Sequence, residues 1–372
     1  SRVSSTSICG YEFTVFLSDD GGLYSLGDSS SGAHGHYGTI FPIKEIVGLK
    51  NITSICSSID HSVCLDIEGF VYTFGSNKSG QLGNDRLHGH THEPQKVSSI
   101  PRIIQISCGR NFTMCLCESR NLYSFGINTK GQLGLSVRDN CSTPTQITSE
   151  KLGDIDFFEC GSTFTICKTF NEDVFAWGCN QEGQLGVKSE NAQFEPIKCE
   201  DWPSNIVDIK CGSSHTLVLT SNQEVYSCGS NSYGQLGRVI PSTSKLEKIE
   251  SLCEIMRIDC GFFHSMCINN NRDFFVFGDN FYGQLGLQDS KKEVPVQHPS
   301  LSNVIDISSK GCHTLVKTGT NEIYAFGNNK HSQLGKACSD YQGKVKSPVQ
   351  VFRGNEDIWC LNVNTSRAKS AR

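Results

Sequence analysis

The sequence predicts an all-β chain closed into a seven-bladed β-propeller, with about four short antiparallel strands per blade. Three observations carry that prediction. One segment is written seven times at a period near 50 residues. The runs between its glycines are short and rich in β-branched and aromatic residues, as strands joined by tight turns are. No stretch keeps an apolar period of about 3.6 long enough for a substantial helix.

The repeat is plainest in its second half. Val71–Gly83 reads VYTFGSNKSGQLG. It returns as YSFGINTKGQLG ending at Gly134, FAWGCNQEGQLG at Gly186, YSCGSNSYGQLG at Gly237, FVFGDNFYGQLG at Gly286 and YAFGNNKHSQLG at Gly335. A worn first copy, YSLGDSSSGAHG, ends at Gly35. The closing glycines stand 48, 51, 52, 51, 49 and 49 residues apart. Such a period marks one supersecondary unit that buries its apolar faces only against its neighbours. The 372 residues therefore read as a single propeller domain over 1–363. Repeat ends fall near 35, 83, 134, 186, 237, 286 and 335, a closing segment covers 347–363, and a short basic polar tail covers 364–372.

Each unit has three parts. A Pro-led segment comes first, as in Pro94-Gln95-Lys96-Val97 or Pro295-Val296-Gln297, and only the stretch near Leu246–Ile249 lacks the proline. A Cys-Gly-x-x-His half follows, such as Cys211-Gly212-Ser213-Ser214-His215, and the aromatic-Gly half ends the unit. Gly75, Gly126, Gly178, Gly229, Gly278 and Gly327 sit where a backbone turns sharply or passes too close for a Cβ. Leu82, Leu133, Leu185, Leu236, Leu285 and Leu334 are the expected buried anchors, and the flanking glutamines would satisfy turn backbone groups. The first blade opens at Ile8-Cys9-Gly10 with no Pro-led segment before it, and the last is followed by a surplus one at Ser347–Val351. Pairing of the C-terminal segment with the first blade is thus the expected closure, hiding two sheet edges. Ile358-Trp359-Cys360 competes with Ile8-Cys9-Gly10 for the inner position.

Composition bounds the function. Charged residues are 19% and the net charge is −5, so no general affinity for nucleic acid is expected. No apolar run reaches the length of a membrane span, and no signal-peptide core opens the chain. Of 19 cysteines, six are read at one repeat position (Cys9, Cys56, Cys108, Cys160, Cys211, Cys260) and four at another (Cys64, Cys115, Cys167, Cys267). Cysteines locked to strand register read as small buried hydrophobes, which favours a reducing compartment, cytoplasmic or nuclear. Of the glycosylation patterns at Asn51, Asn77, Asn111, Asn140 and Asn364, two lie inside the repeat, so they carry little weight.

Candidate chemistry reduces to a few groups. His61, His215, His264 and His313 share one repeat position with Phe13, Phe112 and Phe164. A position that accepts Phe needs an aromatic plate more than a proton carrier, so these histidines read as structural. The pairs His61/Cys64 and His264/Cys267 become Phe112/Cys115 and His215/Val218 in sister blades, which breaks a zinc set. His88, His90 and His92 are the weak metal candidate, though an exposed polar connection accounts for them. A phosphate loop at GxNxxGQLG lacks the Lys-Ser/Thr ending and the following helix. No cofactor and no hydrolytic or redox chemistry is expected.

The Cys-Gly-x-x-His and aromatic-Gly-x-Asn-x-x-Gly-Gln-Leu-Gly halves, at this period, resemble the regulator of chromosome condensation repeat over nearly the whole chain. That resemblance implies a propeller. Its founding member is a nuclear exchange factor for the small GTPase Ran that also docks on nucleosomes. Other members are domains of HECT-type ubiquitin ligases, kinases, ciliary proteins and a plant ultraviolet-B photoreceptor. The photoreceptor's dense tryptophan cluster has no counterpart in Trp177, Trp202 and Trp359. The founder's wedge replaces the GQLG segment of an early blade, whereas every blade after the first keeps that segment here. The founder's basic N-terminal arm finds no match in the opening SRVSSTS, which carries one Arg.

Two functions remain in view. The first is a non-enzymatic protein-interaction platform; the alternative is exchange on a Ran-like GTPase. Loops on a rigid scaffold are where partners bind. The expected binding face is that of the Cys-Gly-x-x-His turns, with Glu12, Asp60, Arg110, Asn111, Phe262 and Phe263 as its candidates.

Overall fold

The computed structural model of the chain describes residues 7–18, 21–28, 30–38, 40–149, 152–335 and 343–353. Seven four-stranded antiparallel sheets form seven blades. In every blade the strands pair in chain order, from an inner first strand to an outer fourth. Blade 5 is representative, with strands Ile206–Cys211, His215–Thr220, Val225–Gly229 and Thr243–Lys248. Successive first strands pack against one another around the centre, and that of blade 1 (Ser7–Cys9) meets that of blade 7 (Val304–Ser309), which closes the ring.

The apolar core is distributed through the seams between blades. One cluster joins Val63 and Val71 of blade 2 to Ile103 and Phe125 of blade 3. Another joins Ile166 and Leu185 of blade 4 to Ile209 and Val218 of blade 5. At the closure, Phe16 and Leu26 of blade 1 pack with Val316 and Phe326 of blade 7. Each sheet is therefore buried on both faces, which explains why second strands such as His215–Thr220 are buried along their whole length.

The Gly-Gln-Leu-Gly turn is built by its own side chains. Asn77 Oδ1 accepts the Leu82 amide at 3.0 Å, and Gln81 Oε1 accepts the Ser79 amide at 2.8 Å. The same pair of bonds recurs at Asn128/Gln132, Asn180/Gln184, Asn231/Gln235, Asn280/Gln284 and Asn329/Gln333. Each bond closes a buried turn group that would otherwise be orphaned. The anchor leucines Leu82, Leu133, Leu185, Leu236, Leu285 and Leu334 are all buried. Gly75 stands next to last in the third strand of blade 2, Val71–Ser76, at a φ of 109°, where an added Cβ would stand 2.4 Å from the Asp60 carbonyl. Only glycine takes that bend without strain.

Two expectations need correction. The Pro-led segment is the outer strand of the blade before it, not the opening of the next unit. Lys344–Arg353, which holds Pro348, pairs with Glu322–Asn328 inside blade 7. Blade 1 is complete from its own strands, Ser7–Cys9, Phe13–Leu17, Leu23–Gly27 and Ile40–Glu45. Proline lacks the N–H that a central strand must donate, so it belongs at the outer edge. Residues 354–363, with Ile358-Trp359-Cys360, and the tail 364–372 lie outside the described residues. The second correction concerns Cys56. Ser57 pairs with Ser62 where Cys108 pairs with Thr113, so Cys56 stands one residue ahead of the shared cysteine position. His61 itself keeps its sisters' place, and only the count from Cys56 is one residue longer.

Candidate functional site: the turn face

The turn between first and second strands begins with a plate. In blade 5 the His215 ring lies over Gly212, where an added Cβ would come within 2.1 Å of the ring carbon. Phe112 lies over Gly109 and Phe164 over Gly161 in the same way. The histidines add one bond to the next blade. His215 Nε2 meets Ser265 Oγ at 3.0 Å, His264 Nε2 meets Thr314 Oγ1 at 3.0 Å, and His313 Nε2 meets Thr14 Oγ1 at 3.2 Å. Each of those hydroxyls spends its proton on a turn carbonyl, as Ser265 does on Gln235 at 2.8 Å and Thr14 on Gln333 at 2.7 Å. The imidazole must therefore donate from Nε2, which leaves Nδ1 bare, and the buried Nδ1 atoms indeed lack a partner. Burial holds His215, His264 and His313 at a pKa of about 3.

His61 departs from its sisters. Its Nε2 meets Thr113 Oγ1 at 3.1 Å, but its Nδ1 stands 3.8 Å from the Asp60 carboxylate. Burial pulls its pKa down, yet Asp60, Cys108 and the Phe112 backbone together outweigh it and the net shift is upward. Burial opposes the Asp60 charge in turn, but His61, Ser76 and Gln81 hold its pKa below the usual value. With its amide nitrogen turned inward, Asn111 donates to Asp60 at 2.9 Å across the seam between blades 2 and 3.

At the mouth of the central channel the turns bond to one another. The Arg110 amide donates to the Ser162 carbonyl at 2.8 Å, the Ser162 amide to Gly212 at 3.2 Å, and the Ser213 amide to Phe262 at 3.0 Å. The Phe262 amide donates to Gly311 at 3.0 Å. Beneath them the glycine position of blade 7 is held by Lys310, whose ammonium spans the channel to blade 4. It meets Glu159 Oε1 at 3.3 Å and the Cys160 carbonyl at 3.2 Å. Burial alone would lower the Lys310 pKa, but Glu159 and the ring of cysteines raise it well above the usual value. Asp259, deep in the same channel, is pushed up to about 7 by burial although Lys210 opposes that.

Above this floor lies a cleft of about 1010 Å³. Arg110, Phe262 and Phe263 line it together with Tyr11, Tyr233, Phe281 and Tyr282. The rings touch in series. Tyr11 stacks on Phe262 at 5.6 Å between centroids, Phe262 meets Phe263 at 6.2 Å, and Phe263 meets Tyr233 at 5.3 Å. The other three candidates are engaged beside the cleft. Asp60 and Asn111 hold each other, and Glu12 meets His331 Nε2 at 3.2 Å. Sequence reasoning missed Tyr11, Tyr233 and Tyr282. Tyr11 occupies the turn position of Phe262, and both other tyrosines precede the glycine of Gly-Gln-Leu-Gly, so alignment of the repeats carried the signal.

His88, His90 and His92 do not converge. His92 donates from Nδ1 to the His36 carbonyl at 2.8 Å, and His90 meets the His92 ring edge-on at 5.1 Å. Among the described residues no group of three or more His, Cys, Asp or Glu side chains is arranged to hold a metal. Among them, too, no helix is long and apolar enough to cross a membrane.

Comparison with known proteins places this geometry. A family model described as the RCC1-like domain matches residues 155–368, and the regulator of chromosome condensation (RCC1) repeat matches residues 68–116 and 121–167. The chain belongs to the RCC1-like domain family. Within it, E3 ubiquitin-protein ligase HERC2 of Mus musculus is 30% identical over 239 residues, covering 61% of this chain and 5% of that protein. The ultraviolet-B receptor UVR8 of Arabidopsis thaliana is 31% identical over 241 residues, covering 62% of this chain and 54% of the receptor. The chain thus matches about half of these relatives' length or far less. Among solved structures, yeast RCC1 (Prp20) bound to Kap60 superposes with a TM-score of 0.80 at 18% identity, covering 95% of this chain and 89% of that one. Human WBSCR16 gives 0.74 at 21% identity, with 84% and 85% covered. At such identities the likeness is one of fold.

Proposed function

We propose that this RCC1-like propeller is a non-enzymatic protein-binding platform whose contact surface is the turn face around Phe262 and Phe263. One observation carries the reading: a continuous series of aromatic rings from blades 5, 6 and 1 lies in an open cleft on a hydrogen-bonded floor. Large aromatic side chains held half-buried on a rigid base are the groups that dominate binding energy at protein interfaces. The described cysteines are free and mostly buried, which fits a reducing compartment.

Exchange on a Ran-like GTPase is the second reading. It draws on the fold shared with yeast RCC1 (Prp20), a protein with binding properties to Gsp1p and histones. An exchange factor must bind the nucleotide-poor GTPase more tightly than the loaded one. Release of labelled GDP from purified Ran separates the two readings, and no acceleration at micromolar protein ends the exchange reading for Ran. For the platform, quantitative affinity purification compares the wild-type chain with a Phe262→Ala/Phe263→Ala variant. An unchanged set of captured proteins would place binding on another surface.

A further inference from the structure

The cleft has a chemical bias of its own. Three cations line it, Arg110, Lys130 and Lys291, the last of them paired with Glu293 outside the lining. Its one carboxylate among the described lining residues, Asp279, is committed to the wall. It accepts the Phe281 amide at 3.1 Å and the Gln284 side-chain amide at 2.7 Å. The other polar lining groups are hydroxyls and one Gln amide, including the phenols of Tyr11, Tyr233 and Tyr282. Each of these groups can donate a hydrogen bond, and the one lining carboxylate is already spent on the wall. Its apolar part is a file of four rings, Tyr233, Phe263, Phe262 and Tyr11. Gly311 keeps this file continuous, since an added Cβ there would stand 3.3 Å from the Tyr11 Cα.

We infer that the cleft accepts an extended, proline-containing protein segment with an acidic flank. This rests on the platform reading and names the partner's chemistry. A proline run offers carbonyl acceptors and no N–H donors, the complement of this wall, and it arrives already ordered as a polyproline II helix. Ring centroids at 5.6, 6.2 and 5.3 Å extend the file over at most about two turns of such a helix, whose pitch is about 9 Å. Successive prolines then lie along the touching rings. Aromatic walls also attract quaternary ammonium groups, but Arg110, Lys130 and Lys291 repel that class of ligand. Arg110 and Lys130 select carboxylates beside the prolines.

Fluorescence anisotropy with labelled peptides and the full chain tests this. The probe is octaproline followed by three glutamates. One control replaces the prolines with alternating serine and glutamine, and another replaces the glutamates with lysines. The proline–glutamate probe should bind about tenfold more tightly than either control. Tyr233→Ala and Phe262→Ala should each weaken it by about tenfold, and Lys130→Glu/Lys291→Glu should reverse the preference between glutamate and lysine tails. Both rings are at least partly exposed, and thermal melts confirm that each variant folds. Equal binding of the serine–glutamine control, or indifference to Tyr233→Ala, overturns the inference. If no proline peptide binds while Phe262→Ala/Phe263→Ala still abolishes partner capture, the segment class is wrong and the platform stands. If capture is also unchanged, both fall.

Discussion

His61 and His215 hold the same place in blades 2 and 5, both fully buried, both bonded through Nε2 to a hydroxyl of the next blade. They differ in the residue before them, Asp60 in one and Ser214 in the other. That single neighbour reverses their titration. Burial drives His215 down to about 3, whereas at His61 the Asp60 carboxylate, helped by Cys108 and the Phe112 backbone, overcomes burial and the pKa rises. The plate position selects an aromatic shape, and its charge is settled one residue away. Phenylalanine accordingly fills the position in three blades and histidine in four.

The strongest way to break the comparison is to remove the shape. His215→Ala takes the ring off Gly212 and should cost about 3 kcal/mol, read as a lower urea midpoint with an unchanged slope. His61→Ala should cost about as much, since shape and not charge is lost. Equal stability to wild type in either variant would mean that the plate holds nothing.

Acid sharpens the difference next. At His215, His264 and His313 the unfolded chain takes up protons below its ordinary imidazole value while the folded rings stay neutral to about 3. Stability is then complete above about pH 6.5 and falls as pH drops, by about 2 kcal/mol per ring at pH 5. A His215→Phe/His264→Phe/His313→Phe chain should lose most of that slope. A slope identical to wild type would assign acid sensitivity to other groups.

His61 should oppose this trend. Its raised pKa gives a contribution that is complete below the ordinary imidazole value and is lost as pH rises through the shifted one. Asp60→Asn should convert it to the His215 pattern, with a cost of about 1 kcal/mol at pH 6 and a downward shift of the His61 ring signals in an NMR titration. An unmoved titration would show that Asp60 is not the cause. The smallest effect is expected from His215→Phe at pH 7. Only the bond to Ser265 is lost, and Ser265 still donates to Gln235, so the change should stay within about 1 kcal/mol.

Blade number and strand type were legible because Gly-Gln-Leu-Gly is a local turn whose Asn and Gln bonds lie within a few residues of each other. The side on which a Pro-led segment pairs was not, since a repeated string looks the same wherever the unit is cut. Among the turn residues, Phe262, Phe263 and Arg110 line the cleft, whereas Glu12, Asp60 and Asn111 meet partners on a neighbouring blade. Such pairings join residues about one repeat apart, or at opposite ends of the chain, and depend on how the ring curves. Cys56 was misplaced for a related reason: a one-residue offset before His61 changes which side chain faces the seam, and composition cannot register it.

Lys310 gives the ring something its repeats do not. Units that touch only their neighbours can come away from a free end one after another. A cationic spoke from blade 7 to the far wall at Glu159 and Cys160 ties the last unit to the middle one across the hub. Unravelling from the C-terminal side must first strand a half-buried charge, so the wheel should come apart whole, with a side chain laid across its axle.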